Sequence, residues 1–222
     1  MTTTPRATLT AYALVSATHL VAIGIGHAGL SNTTQWLLMP VLALVFLALP
    51  PRGQQPLPRL RAATLTALGF SWLGDSVPDL TSGDGAFIAM VACFLCAQVA
   101  FIVGLLPHWR SSVLGHHRGL IAGYAVTFFA LIAACAPSAG ALLMPIVVYG
   151  LALTTMALLA TGLGRLAGIG AAIFMLSDSL IALGAFREWS GRGLSIAIMA
   201  TYAIAQAMLV IAIQRFRHTR LL

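Results

Sequence analysis

The chain has no lysine, five acidic residues and only 8% charged side chains among its 222 residues. A soluble domain carries about 25% charged residues. So little polar surface cannot cover a water-facing globule, which excludes a soluble single-core protein. Disorder is excluded from the other side, because 59% of the residues are hydrophobic and mean hydropathy is +0.95. A chain this apolar has ample surface to bury. Cysteine is scarce too. Cys93, Cys96 and Cys135 all fall inside apolar runs, and the CxxC spacing of the first two has no second ligand pair nearby. They read as core thiols, not as zinc ligands or a redox pair. GxSxG, HExxH and a glycine-rich phosphate loop are missing, so serine-hydrolase, zincin and P-loop chemistry have no support. No metal and no cofactor are expected.

What is present is apolar length. Runs over Thr8–Gly29, Gln35–Pro50, Leu60–Asp79, Gly85–Leu106, Gly119–Ala136, Ala139–Gly162, Leu166–Phe186 and Leu194–Ile213 each approach the roughly 20 residues that a spanning helix needs. The expected fold is all-α: a polytopic membrane protein of eight transmembrane helices, residues 1–222 forming one integral membrane domain. The first run follows Arg6 and resembles a signal peptide, but it has no clear A-x-A site and is long enough to span. It is kept as the first helix. Short connections carry the breakers, Ser31-Asn32, Pro50-Pro51-Arg52-Gly53, Ser82-Gly83-Asp84-Gly85, Pro137-Ser138 and Gly191-Arg192-Gly193.

The formal charge is +7. In a soluble chain that would suggest nucleic acid. Here the arginines sit in the gaps between apolar runs, which points to topology and anionic lipid instead. Eight spans place ten arginines (Arg6, Arg52, Arg59, Arg61, Arg110, Arg118, Arg165, Arg215, Arg217 and Arg220) on one face. Arg187 and Arg192 remain on the other, with Asp79, Asp84 and Glu188. The positive-inside rule then predicts a multi-pass protein of the plasma membrane with both termini cytoplasmic. His108, His116 and His117, in the loop between the fourth and fifth runs, read as facing lipid.

The two halves, about 1–110 and 111–222, repeat one another. Leu37-Leu38-Met39-Pro40-Val41 matches Leu142-Leu143-Met144-Pro145-Ile146. Leu73-Gly74-Asp75-Ser76 matches Leu176-Ser177-Asp178-Ser179, and Phe94-x-x-Ala97-Gln98 matches Tyr202-x-x-Ala205-Gln206. The offsets of 105, 103 and 108 residues differ only by loop lengths. An offset of four spans preserves direction, so a 4+4 parallel repeat about the membrane normal is expected.

Ionisable residues inside a membrane are costly and mark function by default. Asp75 and Asp178 are the two carboxylates well inside spans. Each lies roughly 18–22 Å from the arginine-rich end at 1.5 Å per residue, and the repeat would pack the third run near the seventh. Gln98 and Gln206 reach a similar level from the opposite direction. Four polar groups at one depth suggest a shared cavity; interhelical hydrogen bonding is the plainer alternative, above all for the glutamines. Ser71, Ser76, Ser177 and Ser179 flank the aspartates. Asp79 lies one turn beyond Asp75, at the mouth of the cavity or at the end of the helix. His19 reads as a packing residue within the first run.

Ala67-Leu68-Gly69-Phe70-Ser71-Trp72-Leu73-Gly74-Asp75 resembles the FSxxGD motif of the YhhN family of lysoplasmalogenase-like membrane proteins. Gly170-x-x-Ile173-Phe174-Met175-Leu176-Ser177-Asp178-Ser179 resembles the second signature. Pro145-x-x-x-Tyr149 with Met156, and Thr201-Tyr202-x-x-x-Gln206, also resemble family positions. The resemblance implies a membrane hydrolase that splits the vinyl-ether bond of a lysoplasmalogen, a lysophospholipid-type substrate, into a fatty aldehyde and a glycerophospho-alcohol. It implies catalysis by Asp75 and Asp178 in a cavity with Ser71, Asp79, Gln98, Tyr149, Ser177, Tyr202 and Gln206. The chain departs from the family at Met39-Pro40, where Lys-Pro is frequent, and at Gln98 and Phe101, where a His and then a Tyr are frequent. Those changes bear on head-group binding and proton handling.

Vinyl-ether hydrolysis is acid chemistry. It needs one carboxyl group still protonated near neutrality and a second, ionised one to stabilise an oxocarbenium or activate water. Two neighbouring carboxylates in a low-dielectric site divide in this way, and glycosidase pairs use the same division. A transporter or flippase with a polar site at mid-depth is the alternative, because parallel repeats also describe carriers.

Overall fold

The computed structural model describes residues 3–50, 57–80 and 84–216. Nine α-helices occur among them, with short 3-10 turns and no strand. Eight are long: α1 (Thr3–Ile25), α2 (Ala28–Ala48), α3 (Pro58–Ser76), α4 (Asp84–Leu105), α6 (Arg118–Ala139), α7 (Leu143–Ala160), α8 (Arg165–Phe186) and α9 (Arg192–Arg215). The single turn α5 (Val113–His116) links the two sets of four. Pro51, Arg52, Gly53, Ser82, Gly83, Arg217 and Arg220 lie outside the described residues.

Among the described residues six segments are long and apolar enough to cross a membrane: Thr4–Ile25, Ala28–Ala48, Gly85–Ser111, Arg118–Leu163, Arg165–Phe186 and Arg192–Arg215. The fourth holds both α6 and α7. Helix α3 stands apart from this group. It carries Arg59, Arg61 and Asp75 and is the least apolar of the long helices.

Two boundaries differ from expectation for local reasons. Ser31-Asn32 is inside α2, not between helices. The turn is made earlier, by Gly26 at φ +74° and by His27, whose ring accepts from the Leu30 amide at 3.1 Å. Glycine reaches this φ without a Cβ clash. Pro137-Ser138 likewise sits in the last turns of α6, and the chain breaks three residues on, at Gly140.

The helices pack as hairpins. The most extensive contacts join α3 to α4, α8 to α9 and α1 to α2, while α4 against α7 ties the halves together. Small residues bring backbones close. A Cβ on Gly170 of α8 would stand 2.9 Å from Met208 Cβ of α9. Phe46, Leu38, Leu42, Phe101, Phe174 and Leu209 fill the centre. At the arginine-rich end Arg61 donates to Gln214 at 2.9 Å, Gln214 donates to the Phe46 carbonyl, and the Arg61 guanidinium lies over the Phe46 ring.

Helices α3 and α8 do not form a major packed pair. The aromatic rings of α4 and α9 stand between them. Phe94 meets Tyr202 edge-on at 5.8 Å, and Tyr202 meets Phe174 of α8 at 5.7 Å. The small residue Gly74 on α3 admits the Phe94 ring. His108 does not face lipid either. It is buried, its ring set edge-on to Phe216 at 4.8 Å.

Candidate active site

Asp75 enters the site because α3 keeps its helical register to Ser76 and then tightens into a 3-10 turn over Val77–Leu80. The carboxyl group is 5% exposed. Tyr202 of α9 donates its hydroxyl to Asp75 Oδ2 at 2.9 Å, and Gln35 of α2 donates to the Asp75 carbonyl at 3.3 Å. Asp178 lies mid-way along α8 and is 8% exposed. Tyr149 of α7 donates its hydroxyl to Asp178 Oδ2. Each buried carboxylate thus accepts one phenol hydrogen bond, Asp75 from a helix of the opposite half and Asp178 from the preceding helix of its own half. A buried carboxylate without such partners would be far more costly.

Both carboxylates line one polar cavity of about 510 Å³. Its deep wall includes Gly74, Phe94 and Tyr202. Its rim is formed by the α1–α2 turn, the 3-10 turn after α3 and the start of α9. Asp178 also lines a narrower pocket of apolar character with Phe87, Val91, Ile146 and Tyr149, and Met90, Phe94 and Ile181 are common to both spaces. The site is therefore amphipathic, polar above and apolar to one side, with a carboxylate where the two parts adjoin.

The remaining expected residues fall into three positions. Asp79 and Tyr202 line the polar cavity. Asp79 is exposed at the rim, where its Oδ2 accepts from the Trp36 indole at 2.9 Å. The Trp72 indole in turn donates to the Trp36 carbonyl at 3.0 Å. Tyr149 lines the apolar pocket.

Ser71, Ser177, Gln98 and Gln206 lie behind these walls, fully buried. Gln206 donates to Ser71 Oγ at 3.2 Å, and Ser177 donates to the Ile198 carbonyl at 2.9 Å, crossing from α8 to α9. Ser76 and Ser179 donate back to helical carbonyls, of Trp72 and Met175 respectively, as serines within helices often do. Both polar atoms of the Gln98 amide lack a hydrogen-bond partner. Neither glutamine touches a carboxylate.

Met39 and Phe101 are core residues, 1% exposed, and take no part in the site. His19 is buried, its Nδ1 3.0 Å from Thr34 Oγ1 and from the Ser31 carbonyl. Among the described residues no three His, Cys, Asp or Glu side chains converge as metal ligands would.

Six polar rim residues escaped the sequence reading as site residues: His27, Ser31, Asn32, Gln35, Arg192 and Ser195. Arg192 carried a signal, since it is one of only two arginines at the arginine-poor end. Asn32 was taken for a breaker. Gln35, two turns into α2, and Ser195, in the first turn of α9, are single polar residues and gave no separate sign.

Described residues that are helical throughout the long elements, with six segments long and apolar enough to cross a membrane and two buried carboxylates on one cavity, place the chain in the class of integral membrane proteins. Residues 30–213 match the YhhN family model, and the chain is a member of that family. It is similar to two curated proteins named lysoplasmalogenase, from Mycobacterium bovis and Mycobacterium tuberculosis. Each is 30% identical over 200 residues, covering 83% of this chain and 70% of the relative. No solved structure matches.

Proposed function

We propose that this protein is a lysoplasmalogenase-like hydrolase that cleaves the vinyl-ether bond of a single-chain ether phospholipid, with Asp75 and Asp178 as its acid/base pair. The observation that carries the reading is the placement of both buried carboxylates on one amphipathic cavity. A lysoplasmalogen has its cleavable bond between a polar head and one hydrocarbon chain. A cavity with a polar part, an apolar part and a carboxylate at the junction matches that order. The similarity to the two mycobacterial lysoplasmalogenases supports the reaction class.

The chemistry asks for four events. One carboxylic acid of the pair gives its proton to the vinyl carbon β to the oxygen. The resulting oxocarbenium is stabilised by the other, ionised carboxylate. That carboxylate then takes a proton from the water that adds to the α carbon. The hemiacetal collapses as that carboxyl group gives its proton to the departing glycerol oxygen and the first carboxylate takes the proton of the hemiacetal hydroxyl, which leaves the aldehyde, the free glycerol hydroxyl and the pair in its starting state. Two carboxyl groups in a poorly solvated site hold one proton between them more readily than none. The Tyr202 and Tyr149 hydroxyls orient the two groups and leave the remaining lone pairs for substrate and water.

Topology supports the same picture. The adjacencies α1–α2, α2–α3, α3–α4 and α4–α7 of the first half recur as α6–α7, α7–α8, α8–α9 and α9–α2. That correspondence favours eight spans in a 4+4 parallel repeat, one membrane domain with both termini on the arginine-rich, cytoplasmic side. The first helices of the halves depart from the symmetry, because α1 packs on α9 whereas α6 packs on α8.

The deciding experiment is aldehyde release from a lysoplasmalogen by the purified protein in detergent, where no transmembrane gradient exists. Release that follows enzyme concentration is the expected result. A carrier would bind the lipid and release nothing.

A further inference from the structure

The cavity rim carries a charge that the acid/base chemistry does not use. Arg192, the first residue of α9, is the single arginine among the lining residues of the polar cavity. No carboxylate among the described residues pairs with it, and the nearby rim carboxylate, Asp79, is engaged by the Trp36 indole. Its guanidinium is seated on the α1–α2 turn. A Cβ on Gly26 would stand 2.6 Å from Nη2, so the missing side chain of Gly26 makes the seat. Asn32 of α2 and Ser195, one turn along α9, line the same mouth.

We infer that Arg192 anchors the phosphodiester of the lipid head group, with Asn32 and Ser195 as neutral hydrogen-bonding neighbours. The inference rests on the reading of the cavity as a lysophospholipid site and adds the residue that makes it select for phosphate. A guanidinium suits the role because its planar fork matches two phosphate oxygens and stays charged at any physiological pH. The spacing agrees. Tyr202, which holds Asp75, is ten residues along α9 from Arg192, about 15 Å at 1.5 Å per residue. Side chains on a helix lean toward its N-terminus, so the Tyr202 ring rises from that level toward the rim. The glycerol backbone and ether oxygen of a single-chain phospholipid occupy the interval between phosphate and carboxylates.

The test reads binding, not turnover, on the purified full-length chain in detergent through its tryptophan fluorescence, Trp36 and Trp72 being close to the rim. Two non-cleavable probes are compared: a 1-O-alkyl lysophosphocholine and the matching 1-O-alkylglycerol, which lacks phosphate. Wild type should prefer the phosphate-bearing probe by about 10-fold or more, the range of a charge-assisted bond. Arg192→Gln should erase that preference and leave alkylglycerol affinity unchanged, and Arg192→Lys should restore part of it. Unchanged lysophosphocholine binding in Arg192→Gln would overturn the inference. Equal losses for both probes would also overturn it, by marking a purely structural role. Displacement of the lipid probe by inorganic phosphate alone would assign the site to the free anion and overturn the head-group assignment. Neither probe has a vinyl-ether bond, so Arg192-dependent binding without any aldehyde release would uphold this inference while removing the hydrolase reading.

Discussion

The Tyr202 hydroxyl donates to Asp75 Oδ2 at 2.9 Å across 127 positions of sequence. The bond joins the last helix to the third and holds a carboxylate in the buried interior. The Tyr149–Asp178 bond does the same between neighbouring helices of the second half. A carboxylate oriented by a phenol keeps its other oxygen free for chemistry.

Asp75→Asn and Asp178→Asn keep the side-chain shape and lose the exchangeable proton. Each is expected to cut turnover by about 10² or more, the usual contribution of a general acid or base. Initial rates of aldehyde release, measured on monodisperse protein, test this. Near-full activity in both variants would remove the pair from the mechanism.

Tyr202→Phe and Tyr149→Phe remove one hydrogen bond to a charged group each, about 1.5–3 kcal/mol. Turnover should fall by roughly 10-fold, less than for either aspartate. The rings remain, so the edge-on contacts of Tyr202 with Phe94 and Phe174 persist, and thermal stability should fall by no more than the lost hydrogen bond accounts for. A loss as large as that of Asp75→Asn would mean that the phenols take part directly in proton transfer.

The two glutamines should behave oppositely. Gln206 donates to Ser71 through Nε2 while its Oε1 has no partner, so Gln206→Leu should lower stability by at most about 0.6 kcal/mol, the average for interhelical bonds in membranes. Gln98 is buried with both polar atoms unpartnered. Gln98→Leu should therefore leave the Tm unchanged or raise it, since an unmet buried polar group costs about 1–3 kcal/mol. Thermal unfolding in one detergent compares them. A marked drop in Tm for Gln98→Leu would mean that its amide is satisfied, by buried water or by the neighbouring Tyr149 hydroxyl.

Gly74 lies under the Phe94 ring, and a Cβ there would stand 2.8 Å from two ring carbons. Gly74→Val must push that ring aside, and overpacking of this kind costs about 1–3 kcal/mol. Phe94 packs on Tyr202, which holds Asp75. The variant should lose activity out of proportion to its stability, read as turnover against Tm. Proportionate losses would show that the ring only fills space.

The chain by itself determined the helical class, because long apolar runs with few charges have one way to satisfy their backbone in lipid. It also marked Asp75 and Asp178, since a carboxylate inside an apolar run stands out against its neighbours. Arginine spacing pointed to a topology for the same reason: charge is rare here, and its position is informative. Helix starts were less legible. The turn before α2 depends on one glycine with positive φ and a histidine ring acting as cap, while Ser31-Asn32 carries the usual turn residues and is helical. What only the tertiary structure decided is the set of partners. Tyr202 with Asp75 and Arg192 over Gly26 join helices far apart in the chain, and Tyr149 with Asp178 joins neighbouring helices. The contacts depend on how the helices rotate about their own axes and cross. That is set by small residues and ring packing between helices, which no periodicity along a single run records.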